Sequence, residues 1–543
     1  MTKKTNSLAE DSKVEEVRGA DLVISTLANA GVTHIFALSG NQIMPIFDAC
    51  IDAGVEIIHT RHEAAAVYMA EAYAQLSGNP GVALVTAGAG LCNAVGAVFG
   101  ASESQTSVLL ISGDSPVTLD GSGAFQEIDQ VSVTRAVTRW SHRVMSFDSI
   151  APSVIQALKV VCSDHPGPAH LALPVDVLTS CGQPPVLPVT QKEAGNGADT
   201  DALQQIVDTL AGNKKPLVIL GPALSNTRYP GLAYHITKAT NIPVVTMESP
   251  RGLNDPALGA VNSVIQQADV IVALGKRIDF TVKFGKETQA VWLVVAGSES
   301  LLQQASDNLG EKVLLCHQAH PATIAEALGN STGLRADNSW LEHVQNQTAR
   351  RAEATTESVG HMTSAQLCSA VQQQINQSAN PILVCDGGEF GQWAQACLSA
   401  NKRVINGLSG SIGAGVCYGI GAATAQTDST VFVMTGDGSL GFHLAEFETA
   451  VRNNASFVVI VGNDKRWNAE HQIQQREFGS DRLYACALSD MQYHEAVVAM
   501  GGFGELVNHI DELPAALTRA VQSNTAACVN VMIEGVAAPV VGL

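Results

Sequence analysis

The chain has 543 residues, too many for a single hydrophobic core, so roughly two to four domains are expected. Its 51 acidic residues outnumber 31 basic ones, for a formal charge of −20, and no Lys/Arg run follows the first few residues. That balance argues against nucleic acid and anionic membrane as partners. Hydrophobic residues make up 46% and charged ones only 15%, a mix that suits buried parallel sheets or large subunit interfaces.

The N-terminal stretch MTKKTNSLAEDSKVEEVRG has no apolar segment of signal-peptide type, and no uncharged apolar run of membrane-spanning length follows it. A cytoplasmic protein is expected. The eleven cysteines are odd in number and form no CxxC pair. They read as reduced thiols, most of them buried in apolar surroundings, as at Cys92, Cys385, Cys417 and Cys528.

Apolar runs come next: His34–Leu38, Val82–Thr86, Ser107–Ser112 and Ala169–Pro174. After the polar stretch Gln183–Thr200 they resume at Leu217–Leu220, Pro243–Thr246, Val270–Leu274 and Val291–Val295. A second polar stretch, Gly329–Gly360, precedes Ile382–Cys385, Thr430–Met434, Phe457–Val461 and Cys528–Ile533. Each run is short, rich in Val, Ile and Leu, and bounded by Gly, Asp or Asn, as fully buried parallel strands are. Helical patterns lie between them. The chain therefore reads as α/β, three doubly wound parallel-sheet domains at residues 16–185, 198–332 and 360–543. The first and last share size and rhythm but no evident sequence identity.

In the last block one run ends in Gly436-Asp437-Gly438 and the next in Gly462-Asn463-Asp464. Between them, Leu440, Leu444, Phe447 and Val451 share one helical face, so the segment reads as a βαβ crossover that brings both polar tips to one sheet edge. A carboxylate and a second hard oxygen suit Mg²⁺, which keeps phosphate and water as further ligands. Gly436 and Gly438 let backbone approach closely, and a helix starting at Ser439 would favour a phosphate. The residues alone propose a Mg²⁺–diphosphate site.

Gly436-Asp437-Gly438, 24 intervening residues, then Asn463-Asp464 resembles the binding signature of thiamine-diphosphate enzymes. The resemblance implies Asp437, the Asp464 side chain and the Arg466 backbone oxygen as Mg²⁺ ligands. This chain carries Asp where the signature has its second Asn, which adds a negative charge. His62-Glu63 resembles the helix start that carries the family's catalytic Glu, the group that hydrogen-bonds the cofactor's aminopyrimidine. VTAGAGLCNAV, with Asn93, resembles a cofactor-binding segment, and GAFQEIDQ, with Gln126, the FQE region of acetolactate synthases. HIFALSGNQIMPIFDA, GPAHLALPVDV and ADVIVALGKRIDF resemble further family segments along the chain. DGGEFGQWA, with Gly388, Glu389 and Phe390, and GLSGSIGAGV, with Gly410 and Ile412, resemble the loops over the diphosphate and pyrimidine. By resemblance Ile412 is the bulky residue that bends the cofactor. The three domains become pyrimidine-binding, central and diphosphate-binding, and the sites lie between subunits of a homodimer or homotetramer.

The reaction is less legible. PRGLNDPALGAV and KRIDFTVKFG stand where FAD-carrying acetolactate synthases have their motifs, which makes a structural FAD doubtful. Lys276, Arg277 and Lys283 are either holders of an ADP-like group or a solvated basic edge. After the metal loop, Asn468, Glu470 and His471 replace an apolar stretch, and Glu470 falls where decarboxylase-like members keep an acid that can protonate a carbanion. The paired histidines of those members are not visible, and Asn41 stands in place of their Asp. The expectation is an acetolactate synthase-like carboligase acting on a 2-oxo acid or hydroxy ketone. Alternatives are a non-oxidative 2-oxo acid decarboxylase or aldehyde lyase, then a 2-hydroxyacyl-CoA lyase, and outside enzymes a non-catalytic cofactor-binding scaffold.

Overall fold

The computed structural model describes residues 16–185, 199–351 and 360–539. The N-terminal stretch through residue 15, most of the Gln183–Thr200 junction and the last four residues lie outside them. Three parallel sheets with helices on their faces make up the fold, an α/β architecture of three domains.

The first sheet contains β1 (His34–Ala37), β2 (Glu56–His59), β3 (Gly81–Val85), β4 (Val108–Asp114), β5 (Trp140–Arg143) and β6 (Ala169–Pro174), in the order β2-β1-β3-β4-β6-β5. The second contains β7 (Pro216–Leu220), β8 (Val244–Thr246), β9 (Val270–Leu274), β10 (Val291–Ala296) and β11 (Val313–Gln318), in the order β8-β7-β9-β10-β11. The third contains β12 (Ile382–Cys385), β13 (Lys402–Ile405), β14 (Val431–Gly436), β15 (Phe457–Asn463), β16 (Phe503–Val507) and β17 (Ala526–Met532), in the order β13-β12-β14-β15-β17-β16. The first and third sheets thus share one topology despite their different sequences.

The apolar runs mark the central strands, which are buried on both faces. Val82 and Leu84 point into one core while Ala83 and Val85 point into another. The five strands without such runs, Glu56–His59, Trp140–Arg143, Val313–Gln318, Lys402–Ile405 and Phe503–Val507, are all sheet edges and largely half-exposed.

One core spans the facing sides of the first and third sheets, with helix Glu63–Ser77 packed on helix Gly415–Ala425 between them. The helices approach closely because small residues line the contact. A Cβ at Gly421 would lie 2.3 Å from the Met69 carbonyl oxygen. Glu71 is fully buried in this contact, accepting from the Tyr418 hydroxyl at 2.9 Å, from Ser104 and from Gln75. Arg228 of the middle domain donates to the Ser104 and Gln105 carbonyls, both at 2.8 Å, so polar contacts tie all three domains together.

Three expectations are corrected here. The polar stretch before residue 360 contains helix Asn338–Ala349, whose Trp340 and Val344 are buried in the middle-domain core; the Trp340 indole also donates to the Pro216 carbonyl. The single helix expected after Asp437 is two short ones, Asp437–Leu440 and Glu446–Arg452. The break arises where buried His443 turns inward to bond the Gly413 carbonyl at 2.8 Å. Cys92 is exposed rather than buried, as are Cys162, Cys181 and Cys397. Among the described residues no helix is long and apolar enough to cross a membrane.

Candidate active site

In a sheet of this topology the crossovers leave in opposite directions from the first and third strands, opening a crevice at their carboxyl ends. Two such crevices exist here, one at β1/β3 and one at β12/β14.

The first crevice gathers Gln42 after β1, Thr86 after β3, Glu63 at a helix start and Gln126. The Thr86 hydroxyl donates to Gln42 Oε1 at 2.6 Å, and Gln42 Nε2 donates to Gln126 Oε1 at 2.8 Å. Gln126 holds a left-handed backbone, φ 62°, against Gly88. Gly90 lies between Thr86 and Glu63, leaving 3.3 Å from a Cβ there to Glu63 Oε1. The other Glu63 oxygen accepts from Asn93 Nδ2 at 3.1 Å. The loop before Glu63 is pinned by the third domain, where buried Glu446 accepts the Arg61 N–H at 3.0 Å. Sequence reading singled out Glu63, Asn93 and Gln126 but not Gln42 and Thr86, although both lie in stretches that resemble family segments.

The second crevice is built on Asp386, which follows β12 and is fully buried. Its Oδ1 accepts from Gly387 N at 2.7 Å and Gly413 N at 2.8 Å; its Oδ2 accepts from Gly415 N at 3.1 Å and Thr435 Oγ1 at 3.0 Å. Burial raises its pKa, and these four partners act in the opposite sense. One side chain thereby fixes the loop 386–388 to the loop 411–415. Ile412 packs over Gly387, where a Cβ would lie 2.6 Å from the Ile412 methyl. Gly388 and Gly410 take left-handed φ of 82° and 71°, which favours glycine at both.

Asp437 follows β14. It is 2% exposed, and its Oδ2 has no hydrogen-bond partner. Burial pushes its pKa up to about 6, against the pull of backbone N–H groups of Gly438, Lys465 and Arg466. Asp464 follows β15, the strand paired with β14. Its pKa is pushed up to about 7, first by burial and then by the Asp437 charge, with Arg466 acting in the opposite sense. Asp437 and Asp464 thus sit at the ends of paired strands, each carboxyl held above its ordinary pKa chiefly by burial.

The other expected residues have the following surroundings. Phe390 is core, its ring packed on Gly462, and buried Ser439 bonds the Gly387 carbonyl. Buried Asn463 is occupied by Asn530 and the Lys465 N–H. Glu389 accepts from the Ala538 N–H, part of a segment that also receives bonds from Trp393 and Asn468 at Val536 O and from Gln472 at Gly535 O. Gly436 and Gly438 keep the backbone open, the latter under the Trp467 ring. Glu470 is exposed in the first turn of helix Asn468–Phe478 and touches neither carboxylate through a hydrogen bond. His471 lines a cavity of roughly 630 Å³ beside Asp464, together with His361, Arg466 and Tyr484.

Of the middle-domain cations, Lys276 is buried and Arg277 largely covered, while Lys283 is 38% exposed. Lys276 is buried against Asp279 at 3.2 Å, Arg277 pairs with Glu103 at 2.7 Å, and Lys283 pairs with Glu287 at 3.4 Å.

Two family models match this chain: the N-terminal TPP binding domain of thiamine pyrophosphate enzymes at residues 17–133, and the C-terminal TPP binding domain at residues 386–531. Each covers one crevice-bearing domain. The 2-hydroxyacyl-CoA lyase 2 of Danio rerio is 29% identical, over 91% of this chain and 87% of its own. The human 2-hydroxyacyl-CoA lyase 2 is 28% identical over 91% and 86%. The acetolactate synthase large subunit IlvG of Mycobacterium tuberculosis is 27% identical over 97% of both chains.

Proposed function

This chain belongs to the thiamine-diphosphate-dependent enzymes, as a lyase or transferase, and from that premise we propose that it makes or breaks a carbon–carbon bond beside a carbonyl, with a 2-oxo acid as donor. The observation that carries the reading is the pair of carboxylates at the third-domain crevice, buried Asp437 and half-buried Asp464.

The residues fit the cofactor. Asp437, Asp464 and the Arg466 backbone oxygen would hold Mg²⁺, and the loops that Asp386 ties together, with Ile412 above them, would hold the diphosphate and thiazolium end. Bound thiamine diphosphate supplies a thiazolium carbon able to add to a carbonyl. Glu63 would then hold a proton at the carboxyl oxygen not bonded to Asn93, facing the aminopyrimidine. Asn93 orients that carboxyl, while Gln42 and Gln126 offer amide groups to a bound carbonyl or carboxylate. Glu470 is the candidate acid for product release.

Glu63 and Asp437 lie on different domains, and among the described residues no hydrogen bond joins them. We place the working site between two copies of the chain, as a homodimer or homotetramer. Exposed Phe99, Cys92 and Gly96 beside Asn93, and exposed Phe442 near Gly413, support such an interface.

Acetolactate synthase-like carboligation is the first reading. Cleavage of a 2-hydroxyacyl thioester is the second, favoured by the two lyase relatives. The test is product analysis by NMR with thiamine diphosphate and Mg²⁺, with and without FAD. Acetolactate from pyruvate supports the first reading, and aldehyde from a 2-hydroxyacyl-CoA alone supports the second. Aldehyde from pyruvate moves the assignment to decarboxylation.

A further inference from the structure

We infer that Asp464 lets this protein load its divalent cation before, and independently of, thiamine diphosphate. The inference rests on the cofactor reading above and concerns the order of assembly.

Asp437, at the carboxyl end of β14, provides one carboxylate oxygen that is buried and without a hydrogen-bond partner. The neighbouring loop could have offered a neutral amide. It does not, because the Asn463 amide is used at both ends: Nδ2 donates to Asn530 Oδ1 at 3.1 Å, and Oδ1 accepts the Lys465 N–H at 3.2 Å. The next side chain along is Asp464. Among the described residues its carboxylate forms no ion pair. Arg466, the nearest cation, turns its Nε to the Asp464 backbone oxygen at 3.2 Å instead. Gly535 lies between the two side chains: a Cβ there would sit 3.0 Å from Asp464 Oδ2 and 3.3 Å from the Arg466 guanidinium carbon.

The charge count then sets the order. One carboxylate and one amide around a divalent cation leave a net positive charge, which a diphosphate must neutralise, so metal and cofactor enter together. Two carboxylates neutralise the cation on their own, and the number of charged ligands is what tunes affinity in oxygen-ligand sites. The cation also relieves the repulsion between the two acids. The diphosphate then docks on a metal already in place.

The test is Mn²⁺ titration of the chelator-stripped full chain without cofactor, read by electron paramagnetic resonance of free Mn²⁺. One site per chain is expected, weakened at least tenfold in Asp464→Asn and absent in Asp437→Asn. With saturating thiamine diphosphate the gap between wild type and Asp464→Asn should shrink to less than about threefold, since the diphosphate then supplies the missing charge. Equal, weak uptake by wild type and Asp464→Asn without cofactor, with both rescued by it, overturns the inference and leaves the cofactor reading standing. No uptake by wild type under either condition overturns both.

Discussion

Asp386→Asn is the sharpest test of the site's construction. The substitution keeps the shape of the side chain and replaces one acceptor oxygen by an NH₂ group. If the NH₂ takes the Oδ2 position it faces the Gly415 N–H, which is buried and has no other acceptor there, while the Thr435 hydroxyl can turn to the Gly436 carbonyl at 3.3 Å. If it takes the Oδ1 position it faces two backbone donors, those of Gly387 and Gly413. Either flip orphans at least one buried N–H at a cost of about 1–3 kcal/mol, and the remaining bonds lose their charge assistance. A total of about 2–3 kcal/mol is expected. Because the orphaned donors lie in the loops under Ile412, the loss should appear in cofactor binding as well as in stability. At about 1.4 kcal/mol per decade it raises the dissociation constant of thiamine diphosphate between about 30- and 140-fold. The assay is calorimetric titration with thiamine diphosphate and Mg²⁺, beside a urea unfolding curve. Thr435→Val, which removes one partner, should cost about 1 kcal/mol. Affinity within twofold of wild type, with an unchanged unfolding midpoint, would refute the role given to Asp386.

Glu63→Gln should retain thiamine diphosphate by calorimetry but slow turnover by orders of magnitude; unchanged turnover would remove Glu63 from the chemistry. Asp437→Ala should abolish Mg²⁺-dependent cofactor binding, and intact affinity would dismiss the metal role. Glu470→Gln should shift the partition between aldehyde and ligated ketone measured by NMR; an unchanged ratio and rate would leave Glu470 a surface residue. His170, fully buried among the hydroxyls of Ser112, Thr134 and Ser141, has its pKa pushed down by burial to about 3 from 6.5. Its folded pKa lies below its unfolded one, so the stability it contributes is complete above pH 6.5 and is lost as the pH falls towards 3. At pH 5 the loss is about 2 kcal/mol, from 1.5 pH units at about 1.4 kcal/mol each. Urea midpoints at pH 7 and 5 should show it in wild type, and His170→Gln should lack that share.

How much was legible in the sequence follows from burial. Central strands such as Val82–Val85 and Phe457–Val461 are apolar on both faces and announce themselves. Edge strands such as Trp140–Arg143 and Phe503–Val507 carry half-exposed residues and resemble loops. Gly436-Asp437-Gly438 was readable as an acid flanked by glycines, of which Gly438, under the Trp467 ring, has no room for a side chain. Asp386 was passed over as a site residue because its work is done on backbone amides of loops far along the chain, and no local pattern reports that. The break near Gly441 was invisible for a similar reason: His443 is drawn in by the Gly413 carbonyl, a contact that exists only after folding. The shared topology of the first and third sheets had no counterpart in residue identity, because strand order is set by crossovers and not by particular side chains.

That shared topology explains how one chain carries two complementary half-sites. Each sheet opens a crevice at its switch point, and the side chains placed there differ in kind. The first-domain crevice holds amides, a hydroxyl and one carboxyl held by Asn93, a set suited to moving a proton. The third-domain crevice holds Asp437 and Asp464, the pair proposed above to hold a cation. The two halves do not float relative to one another. Helix Glu63–Ser77 and helix Gly415–Ala425 lie in one core, Glu71 and Tyr418 bond across it, and Glu446 grips the backbone just before Glu63. Within a chain, then, the third domain holds the backbone just before Glu63 through Glu446, while Asp437 and Asp464 lie at its own crevice. An arrangement so rigid cannot bring Glu63 to the chain's own Asp437 by a small hinge motion without breaking buried hydrogen bonds that include a charged acceptor, at about 1.5–3 kcal/mol each. A second copy of the chain can supply the complementary crevice with those bonds intact.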